Sequence, residues 1–422
     1  MTSERLDALL HGQPIGWLER SSSEADPTFT YAPDYVDEGT IALSARLPIQ
    51  SAPFPAERVA PYLQGLLPES SDVRLRWSQQ LQVTPDDAFG MLAIMGWDCP
   101  GAVQFSHPDR VEELQQRSAE YVTTDESAIG DRIRSLTTQD ATWTMPEEHW
   151  SLGGQQEKFA LARIGDQWLE AHGSAATTHI IKPGIARLKH QALIEHLTMR
   201  AAFRVGIDVA ATEYRNFDGA WALVVERFDR QSAPEASTAR IHQEDFCQAV
   251  GRTPDRKYEE RGGPTARDMV AVINRESIDR RNDLLALADF LIINVVAGAP
   301  DGHSKNIALQ RRAGGSTIAP LYDLATGLAY NAVDVDRRIA LSVGGERLTS
   351  RIRRQQWDKA SAALGIDPNL MQARVVQLAE ALPVAFTEAI EEVGNVPGMD
   401  EIADRVPARL IEHCQRILSR LA

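Results

Sequence analysis

The sequence predicts an α+β protein with two lobes: a strand-rich N-terminal lobe with an added N-terminal subdomain, and a helical C-terminal lobe. Three observations predict it. Short apolar segments of strand character dominate residues 151–228, apolar residues at helical spacing dominate after residue 242, and both patterns occur before residue 121. We therefore expect a subdomain over residues 1–120, the rest of the N-terminal lobe over 121–230 and the helical lobe over 231–422.

Size and composition fit this organisation. The chain has 422 residues, of which 43% are hydrophobic and 24% charged, as in globular proteins with a sizeable core. A formal net charge of −15 argues against non-specific binding of the whole surface to nucleic acid or an anionic membrane.

The cysteines and the apolar segments indicate the cellular compartment in which the protein is expected. Cys99, Cys247 and Cys414 are far apart and form no metal-ligand spacing, which is typical of buried thiols in a reducing cytoplasm. The N-terminus does not have the pattern of a signal peptide, and the longest apolar stretch is too short and too polar to span a bilayer. We expect a cytoplasmic protein that does not bind membranes.

The first 120 residues contain strand signals followed by helix signals. Alternating apolar and polar residues predict strands within the first 50 residues, including one over residues 40–47. Helices are expected between Pro55 and Trp97, one of them with Thr84 as its capping residue. A further helix is expected near residues 109–118, before a linker-like run at 123–127.

The remainder of the chain divides into a strand-rich and a helix-rich part. Strands are predicted, with a helix over 188–205 among them, at residues 156–164, 167–171, 178–181, 213–214 and 221–228. Helices are predicted at residues 243–251, 264–276, 280–299, 355–364, 368–393 and 403–420.

Residues 301–306 carry the most informative motif, an aspartate five positions before an asparagine in a polar loop after an apolar segment. Kinase catalytic loops have this spacing: Asp301 would accept the hydroxyl proton of the phosphoryl acceptor, and Asn306 would ligate magnesium on ATP. Asp323 ends a short apolar run seventeen residues later and supplies a second oxygen ligand. Either motif alone is weak, because these residues are common in turns, but their order makes the pair more specific.

Four more polar positions fit a kinase, and two of them have an alternative interpretation. Lys182, at the end of an apolar strand, would contact the α and β phosphates of ATP and pair with Glu195 in the following helix. It could equally be a lysine that reaches the surface. Lys305 could neutralise the transferring phosphoryl group or be solvated, and His303 could order the loop.

Two segments of the strand-rich part could bind the nucleotide. The strand that ends near Glu226 and Phe228 lies where a kinase hinge would lie, so their backbone groups would bond adenine; the alternative is a strand with a salt-bridged exit. Residues 151–158 form a glycine-containing turn whose amides could face phosphate oxygens, although a plain hairpin turn is the more common meaning of such a sequence. A strand-rich lobe followed by a helical lobe is the kinase architecture.

Several motifs in consistent order give these positions a common meaning. They lie at residues 65–70, 87–90, 98–104, 151–158, 178–183, 225–230, 242–249, 301–306 and 322–323. In these motifs the sequence resembles, over nearly its whole length, the HipA family of serine/threonine kinase toxins from bacterial toxin–antitoxin pairs. The resemblance implies a protein-kinase-like fold that uses ATP and Mg2+.

The resemblance also implies residue roles. Asp301 would be the catalytic base, helped by Lys182 and Lys305, while Asn306 and Asp323 would hold Mg2+. Phosphorylation of Ser151 by the enzyme itself would expel the phosphate loop and switch the kinase off. The implied nucleotide-binding residues are Ser151, Leu152, Gly153, Gly154, Gln155, Gln156, Lys182, Glu226, Phe228, Gln243, His303 and Tyr322.

Partners follow from the same resemblance. It implies a HipB-like helix-turn-helix antitoxin, contact with DNA only indirectly through the antitoxin complex, and a translation component such as glutamyl-tRNA synthetase or another aminoacyl-tRNA synthetase as the substrate. Two alternatives stay open: a catalytically silent co-repressor that acts with the antitoxin, and a kinase of small molecules or lipids. The chain departs from the family pattern at Gly302, where a larger residue is common.

Overall fold

The computed structural model describes residues 3–116, 120–137, 148–232, 238–331 and 337–421. Among the helices of these segments, none is both long and apolar enough to cross a membrane.

The strands of the described segments form five sheets. In chain order the strands β1 to β17 are Glu4–Leu10, Gln13–Arg20, Thr28–Tyr31, Val103–Ser106, Glu120–Thr123, Phe159–Ile164, Gln167–His172, His179–Lys182, Thr212–Phe217, Ala220–Glu226, Arg230–Ser232, Thr238–Arg240, His242–Asp245, Ala308–Arg312, Gly315–Ile318, Arg338–Val343 and Glu346–Leu348. The sheet orders are β3-β2-β1-β4, β5-β7-β6-β8-β10-β9, β11-β12, β13-β14-β15 and β16-β17.

Helices are short in the first half of the chain and long towards the end. In chain order the helices α1 to α13 are Pro33–Glu38, Ala56–Gly65, Ser71–Leu81, Ala88–Met95, Val111–Gln116, Glu126–Thr137, Gln191–Arg204, Phe246–Val250, Ala266–Glu276, Arg280–Val296, Arg354–Leu364, Pro368–Val393 and Met399–Ser419. The α+β class and the change from strands to long helices are therefore as predicted.

The predicted strand over residues 40–47 was wrong. Only an isolated bridge joins Ser44 to Leu47 there. The buried carboxylate of Glu244 accepts hydrogen bonds from the Ser44 hydroxyl at 2.6 Å and from the Ala45 amide at 2.8 Å. These bonds bind the segment in a turn, so the alternation of its side chains does not reflect a strand.

The predicted helix over residues 243–251 was partly wrong, because strand β13 occupies its start and α8 begins only at Phe246. Asp245 caps α8: its carboxylate accepts the Gln248 amide, and the Gln248 side chain accepts the Asp245 amide. Gln243 consequently lies on a strand. Similarly, α4 is capped by Asp87 rather than by Thr84, and α6 begins within the run expected to be a linker.

The chain divides into two compact units. The first comprises Met1–Pro183, Arg215–Pro254 and Leu309–Ser316. Within it, a large cluster of buried apolar side chains reaches from Leu6 in β1 to Phe159 in β6. The four-stranded and six-stranded sheets thus share one core, because neither buries its apolar face alone.

The second unit comprises Gly184–Tyr214, Asp255–Ala308 and Thr317–Ala422. Helix α12 is its centre, since it packs against α7, α10, α11 and α13. Buried residues such as Val375, Leu378 and Phe386 line α12 at helical spacing. The boundaries expected at residues 120 and 230 stay predictions.

Candidate functional site

The candidate phosphate loop, residues 151–156, is docked inside the first unit. Ser151 is completely buried at 0% exposure. Its amide donates to the Asp98 carbonyl at 3.0 Å, and its hydroxyl donates to the Leu66 carbonyl at 2.7 Å. Leu152 is also buried, whereas Gln155 is exposed. The serine is therefore held by the N-terminal subdomain rather than presented to solvent.

The two glycines of this loop have different surroundings. Lys158 Nζ donates to the Gly153 carbonyl at 2.6 Å, and the Glu69 amide donates to the Gly154 carbonyl at 2.8 Å. Gly154 has a φ of +102°, and a Cβ there would lie 2.6 Å from Lys158 Nζ. Only glycine suits position 154, because its left-handed backbone and the nearby lysine both disfavour a side chain.

Asp98 anchors this loop through a buried charge network. Its carboxylate accepts hydrogen bonds from Arg227 at 3.3 Å, Arg230 at 2.7 Å and Arg240 at 3.0 Å. Burial alone would raise the pKa of Asp98, but the three guanidinium groups hold it below its usual value. Asp98 therefore stays charged, and its backbone carbonyl holds Ser151.

The same network fixes the candidate hinge. Asp229 accepts hydrogen bonds from Arg227 Nε at 3.0 Å and from the Gly101 amide at 2.6 Å. Phe228, between these two charged residues, is half-buried, and its carbonyl accepts Gln310 Nε2 at 2.9 Å. Glu226 ends β10 with its side chain exposed. Hinge and phosphate loop thus share one buried anchor, which the sequence analysis did not find.

Lys182 and Gln243 occupy strand positions in the first unit. Lys182 ends β8 and is only 4% exposed, so it is not the surface lysine of the alternative interpretation. Gln243 is half-buried between the buried His242 and Glu244, and its Oε1 has no hydrogen-bond partner among the described residues. Alternation along a strand directs Gln243 to the face opposite its neighbours.

Glu195 lies on α7 of the second unit. It is 3% exposed, and its Oε2 accepts Gln191 Nε2 at 2.9 Å. Its pairing with Lys182 stays a prediction.

The candidate catalytic loop is a tight turn of the second unit. The His303 amide donates to the Asp301 carbonyl at 2.7 Å, and the Asn306 amide donates to the His303 carbonyl at 2.9 Å. The Ser304 hydroxyl donates to the Lys257 carbonyl at 2.9 Å. Asp301 is exposed, whereas residues 302–306 are buried. The turn therefore presents one carboxylate on a fixed base.

The structure brings the two candidate metal ligands together. Asn306 Nδ2 lies 3.5 Å from the Asp323 carbonyl oxygen. The Tyr322 hydroxyl donates to the Lys305 carbonyl at 2.7 Å and so ties the two segments. Asp323 is exposed and has a φ of +57°, which is uncommon for a residue other than glycine. Strained backbone of this kind is concentrated at functional sites.

His303 is held neutral beneath the loop. Burial lowers its pKa well below 6.5, and the charges of Lys257 and Lys305 lower it further. Lys305 is itself 8% exposed, so it is not fully solvated. The His303 ring meets the Tyr258 ring edge-on at 5.0 Å, and its Nδ1 has no hydrogen-bond partner among the described residues.

Tyr258 contacts the candidate site and has no sequence signal that points to it. Its hydroxyl donates to Asp301 Oδ1 at 2.7 Å. The two residues are 43 positions apart. No spacing rule connects a tyrosine in a charged turn with an aspartate that far along the chain, so only the folded structure places them together.

Gly302 is required by the packing of the turn. A Cβ at position 302 would overlap the Asn294 side chain, 2.5 Å from its Nδ2. Asn294 is 5% exposed and is held by a 2.8 Å bond to the Phe290 carbonyl, so it has little room to move. We expect Gly302→Ala to lower the free energy of unfolding by about 1–3 kcal/mol, measured by chemical denaturation.

A second substitution controls this prediction. Asn294→Ala removes the atoms that a Cβ at position 302 would meet, so Gly302→Ala should cost less stability in that background than in the wild type. An equal loss in both backgrounds would show that the overlap with Asn294 is not the cause.

Two family models match the chain. The HipA N-terminal domain matches residues 6–106, and the HipA-like C-terminal domain matches residues 150–386. The first match covers the four-stranded sheet of β1 to β4. The second covers the candidate phosphate loop, hinge, catalytic loop and metal ligands.

Individual proteins match over almost the full length. A Sinorhizobium fredii protein named "Putative kinase Y4mE" is 33% identical over 97% of this chain and 98% of its own. The serine/threonine-protein kinase toxin HipA of Shewanella oneidensis is 28% identical over 99% and 97%, respectively. A solved structure shows HipA of that organism in complex with HipB and its operator DNA. It superimposes on this chain with a TM-score of 0.83 at 24% identity, and the match covers 98% of this chain and 97% of the other. The fold is shared.

Proposed function

The chain belongs to the HipA family and is a kinase of that family, and we propose that it is the toxin of a toxin–antitoxin pair that phosphorylates a serine or threonine of a translation component. The observation that carries the proposal is the catalytic turn: an exposed Asp301 on a fixed backbone, five residues before an Asn306 that lies beside Asp323. This is the set of groups that protein kinases use for phosphoryl transfer.

The proposed chemistry follows from these groups. The acceptor hydroxyl oxygen attacks the γ-phosphorus of ATP, the bond to the β–γ bridging oxygen breaks, and ADP leaves. The hydroxyl proton passes to the Asp301 carboxylate. Lys182 binds the α and β phosphates, and Lys305 offsets negative charge on the transferred group. As further nucleotide-binding residues we propose Glu226, Phe228, Gln243, His303 and Tyr322, and we propose that the amides of residues 151–156 bind phosphate oxygens.

Asn306 and Asp323 suit a magnesium ion. An amide oxygen and a carboxylate are hard donors, and Mg2+ is usually bound by one or two carboxylates together with substrate phosphates. The described residues contain no group of three or more His, Cys, Asp or Glu side chains that could hold a metal ion. When bound, Mg2+ would neutralise charge on the β and γ phosphates.

Ser151 is the proposed off-switch. Its hydroxyl is buried against the Leu66 carbonyl, where a phosphoserine dianion would meet an oxygen acceptor in place of a donor. A dianion there would also lose its hydration, and the Leu66 carbonyl oxygen, itself partly negative, cannot compensate for that loss. Phosphorylation of Ser151 should therefore expel the loop and remove the phosphate-binding amides.

The proposal predicts one specific modification. After phosphatase treatment, wild type incubated with ATP and Mg2+ should gain a phosphate that maps to Ser151 by mass spectrometry, and its ATP affinity should then fall by about a hundredfold or more, since the loop is lost. Ser151→Ala should gain none at this position and keep its ATP affinity.

Ser78→Ala is the matched control. The Ser78 hydroxyl is also largely buried and donates to a backbone carbonyl, that of Leu75, at 2.8 Å. This variant should be phosphorylated like wild type. Phosphate only at other positions would exclude Ser151 as the switch, and no transfer to the chain or to any protein of a lysate would contradict the kinase proposal.

The proposed partners are an antitoxin and a translation enzyme. The structure of Shewanella oneidensis HipA contains HipB and operator DNA, which supports a HipB-like helix-turn-helix antitoxin for this chain. With a net charge of −15, the chain would reach DNA indirectly, through the antitoxin. We propose glutamyl-tRNA synthetase or another aminoacyl-tRNA synthetase as the phosphorylated protein, in the cytoplasm.

A further inference from the structure

We propose that Tyr258 is a positioning residue that orients the Asp301 carboxylate for proton transfer. The inference rests on the proposed kinase function. Its hydroxyl donates to Asp301 Oδ1 at 2.7 Å, a short distance typical of a hydrogen bond to a carboxylate. Asp301 is exposed, so a bond from a fixed partner narrows the set of rotamers that its side chain can adopt.

Tyr258 is itself fixed by its backbone. The amides of Arg261 and Gly263 both donate to the Tyr258 carbonyl at 3.0 Å. Gly263 is needed for this turn, because a Cβ there would lie 2.7 Å from the Tyr258 carbonyl oxygen. The preceding Lys257 carbonyl accepts the Ser304 hydroxyl, which fastens the same turn to the catalytic loop.

The Tyr258 ring is also held. It meets the buried His303 ring edge-on at 5.0 Å, and the Lys257 and Arg261 charges lie 5.4 and 5.6 Å from its centroid. Such contacts stabilise an aromatic ring beyond its burial. The phenol therefore reaches Asp301 from a rigid platform, which a chance surface hydrogen bond would not have.

The bond fixes the plane of the carboxylate. With one oxygen bound to Tyr258, the other is directed by the geometry of the group, so the acceptor hydroxyl meets a base of defined orientation. Small errors in the position of a catalytic group reduce rates strongly. Tyr258 contacts neither ATP nor the acceptor in this role, so nucleotide binding should not depend on its hydroxyl.

The test is Tyr258→Phe in the full chain. This variant keeps the ring on His303 and loses only the hydroxyl. With radiolabelled ATP, transfer to the chain and to water is followed over a range of ATP concentrations. We expect kcat to fall about tenfold to a hundredfold, the scale of loss for a misplaced catalytic group, with unchanged KM for ATP. Because the bond is exposed to water, Tm should stay that of wild type. Tyr35→Phe, which removes a 2.8 Å bond to the Ile41 carbonyl, should keep wild-type kcat.

Each other outcome has a defined meaning. Wild-type kcat in Tyr258→Phe, or a rise in KM alone, would overturn the positioning role while leaving the kinase function intact. A lower Tm that accompanies the lower kcat would also overturn it, as would a further loss when Tyr258→Phe is added to Asp301→Asn. Absence of transfer in wild type would instead contradict the proposed function.

Discussion

Replacing Asp301 by asparagine should lower kcat for phosphoryl transfer by about a thousandfold or more, a loss of about 4 kcal/mol of transition-state stabilisation. Asparagine keeps the shape of the side chain and an oxygen that can accept the Tyr258 hydroxyl. It cannot take the proton of the acceptor hydroxyl. Since Asp301 is exposed at the tip of a turn closed by backbone bonds, the substitution should leave Tm and ATP affinity unchanged.

The measurement compares wild type, Asp301→Asn and Asp404→Asn. Asp404 is an exposed aspartate on α13, so its substitution should leave transfer at the wild-type rate. In cells, Asp301→Asn should not arrest growth, yet it should still bind a HipB-like antitoxin. If the variant remains toxic, phosphoryl transfer is not the cause of toxicity, and the co-repressor interpretation gains support.

The features that the sequence predicted correctly are encoded locally. Helix α12 spans Pro368–Val393, as expected, because its apolar residues repeat at helical spacing over many turns. The turn that holds the candidate catalytic residues is equally local: Asp301 and Asn306 belong to one turn, so their spacing alone specifies their proximity, while their catalytic roles stay predictions. A residue pattern confined to one helix or turn depends on local contacts, so the folded structure retains the conformation that the pattern predicts.

The features that the sequence missed depend on distant contacts. Glu244 lies 200 residues from Ser44, yet its carboxylate turns the segment that alternation had predicted as a strand. Tyr258 and Asp301 are separated by 43 residues. Tertiary contacts override local propensity at such positions, because a buried carboxylate must be paired wherever partners are found.

The burial of Ser151 also could not be read from its motif. Glycines around a serine suggest an accessible turn, and a plain hairpin was the more common meaning of that sequence. The structure instead packs the serine against Leu66 and Asp98. Consequently the loop must open transiently before Ser151 can be phosphorylated, and the phosphoserine would then be unable to return to the buried site, which is how the modification keeps the loop expelled.

Replacing Asp323 should have an effect as large as replacing Asp301, for a different reason. Loss of a carboxylate ligand should lower kcat by about a thousandfold at saturating ATP and raise the Mg2+ concentration needed for half-maximal rate. Asp323 has a φ of +57°, where glycine and asparagine are tolerated best. Both Asp323→Asn and Asp323→Gly should therefore fold normally, and glycine should stabilise the protein by up to about 1 kcal/mol.

Asp218 provides a control with the same backbone geometry, since it is exposed with a φ of +49° in the turn between β9 and β10. Asp218→Asn and Asp218→Gly should keep kcat and the Mg2+ dependence of wild type. Thermal denaturation of all four variants measures the effect of backbone strain on stability, and Mg2+ titrations measure the effect of the carboxylate on catalysis. If the Asp323 variants lose stability together with activity, or keep wild-type Mg2+ dependence, Asp323 is a structural residue and the metal site lies elsewhere. If only activity is lost, the strained backbone serves to place a charge beside Asn306, at a cost in stability that glycine would remove.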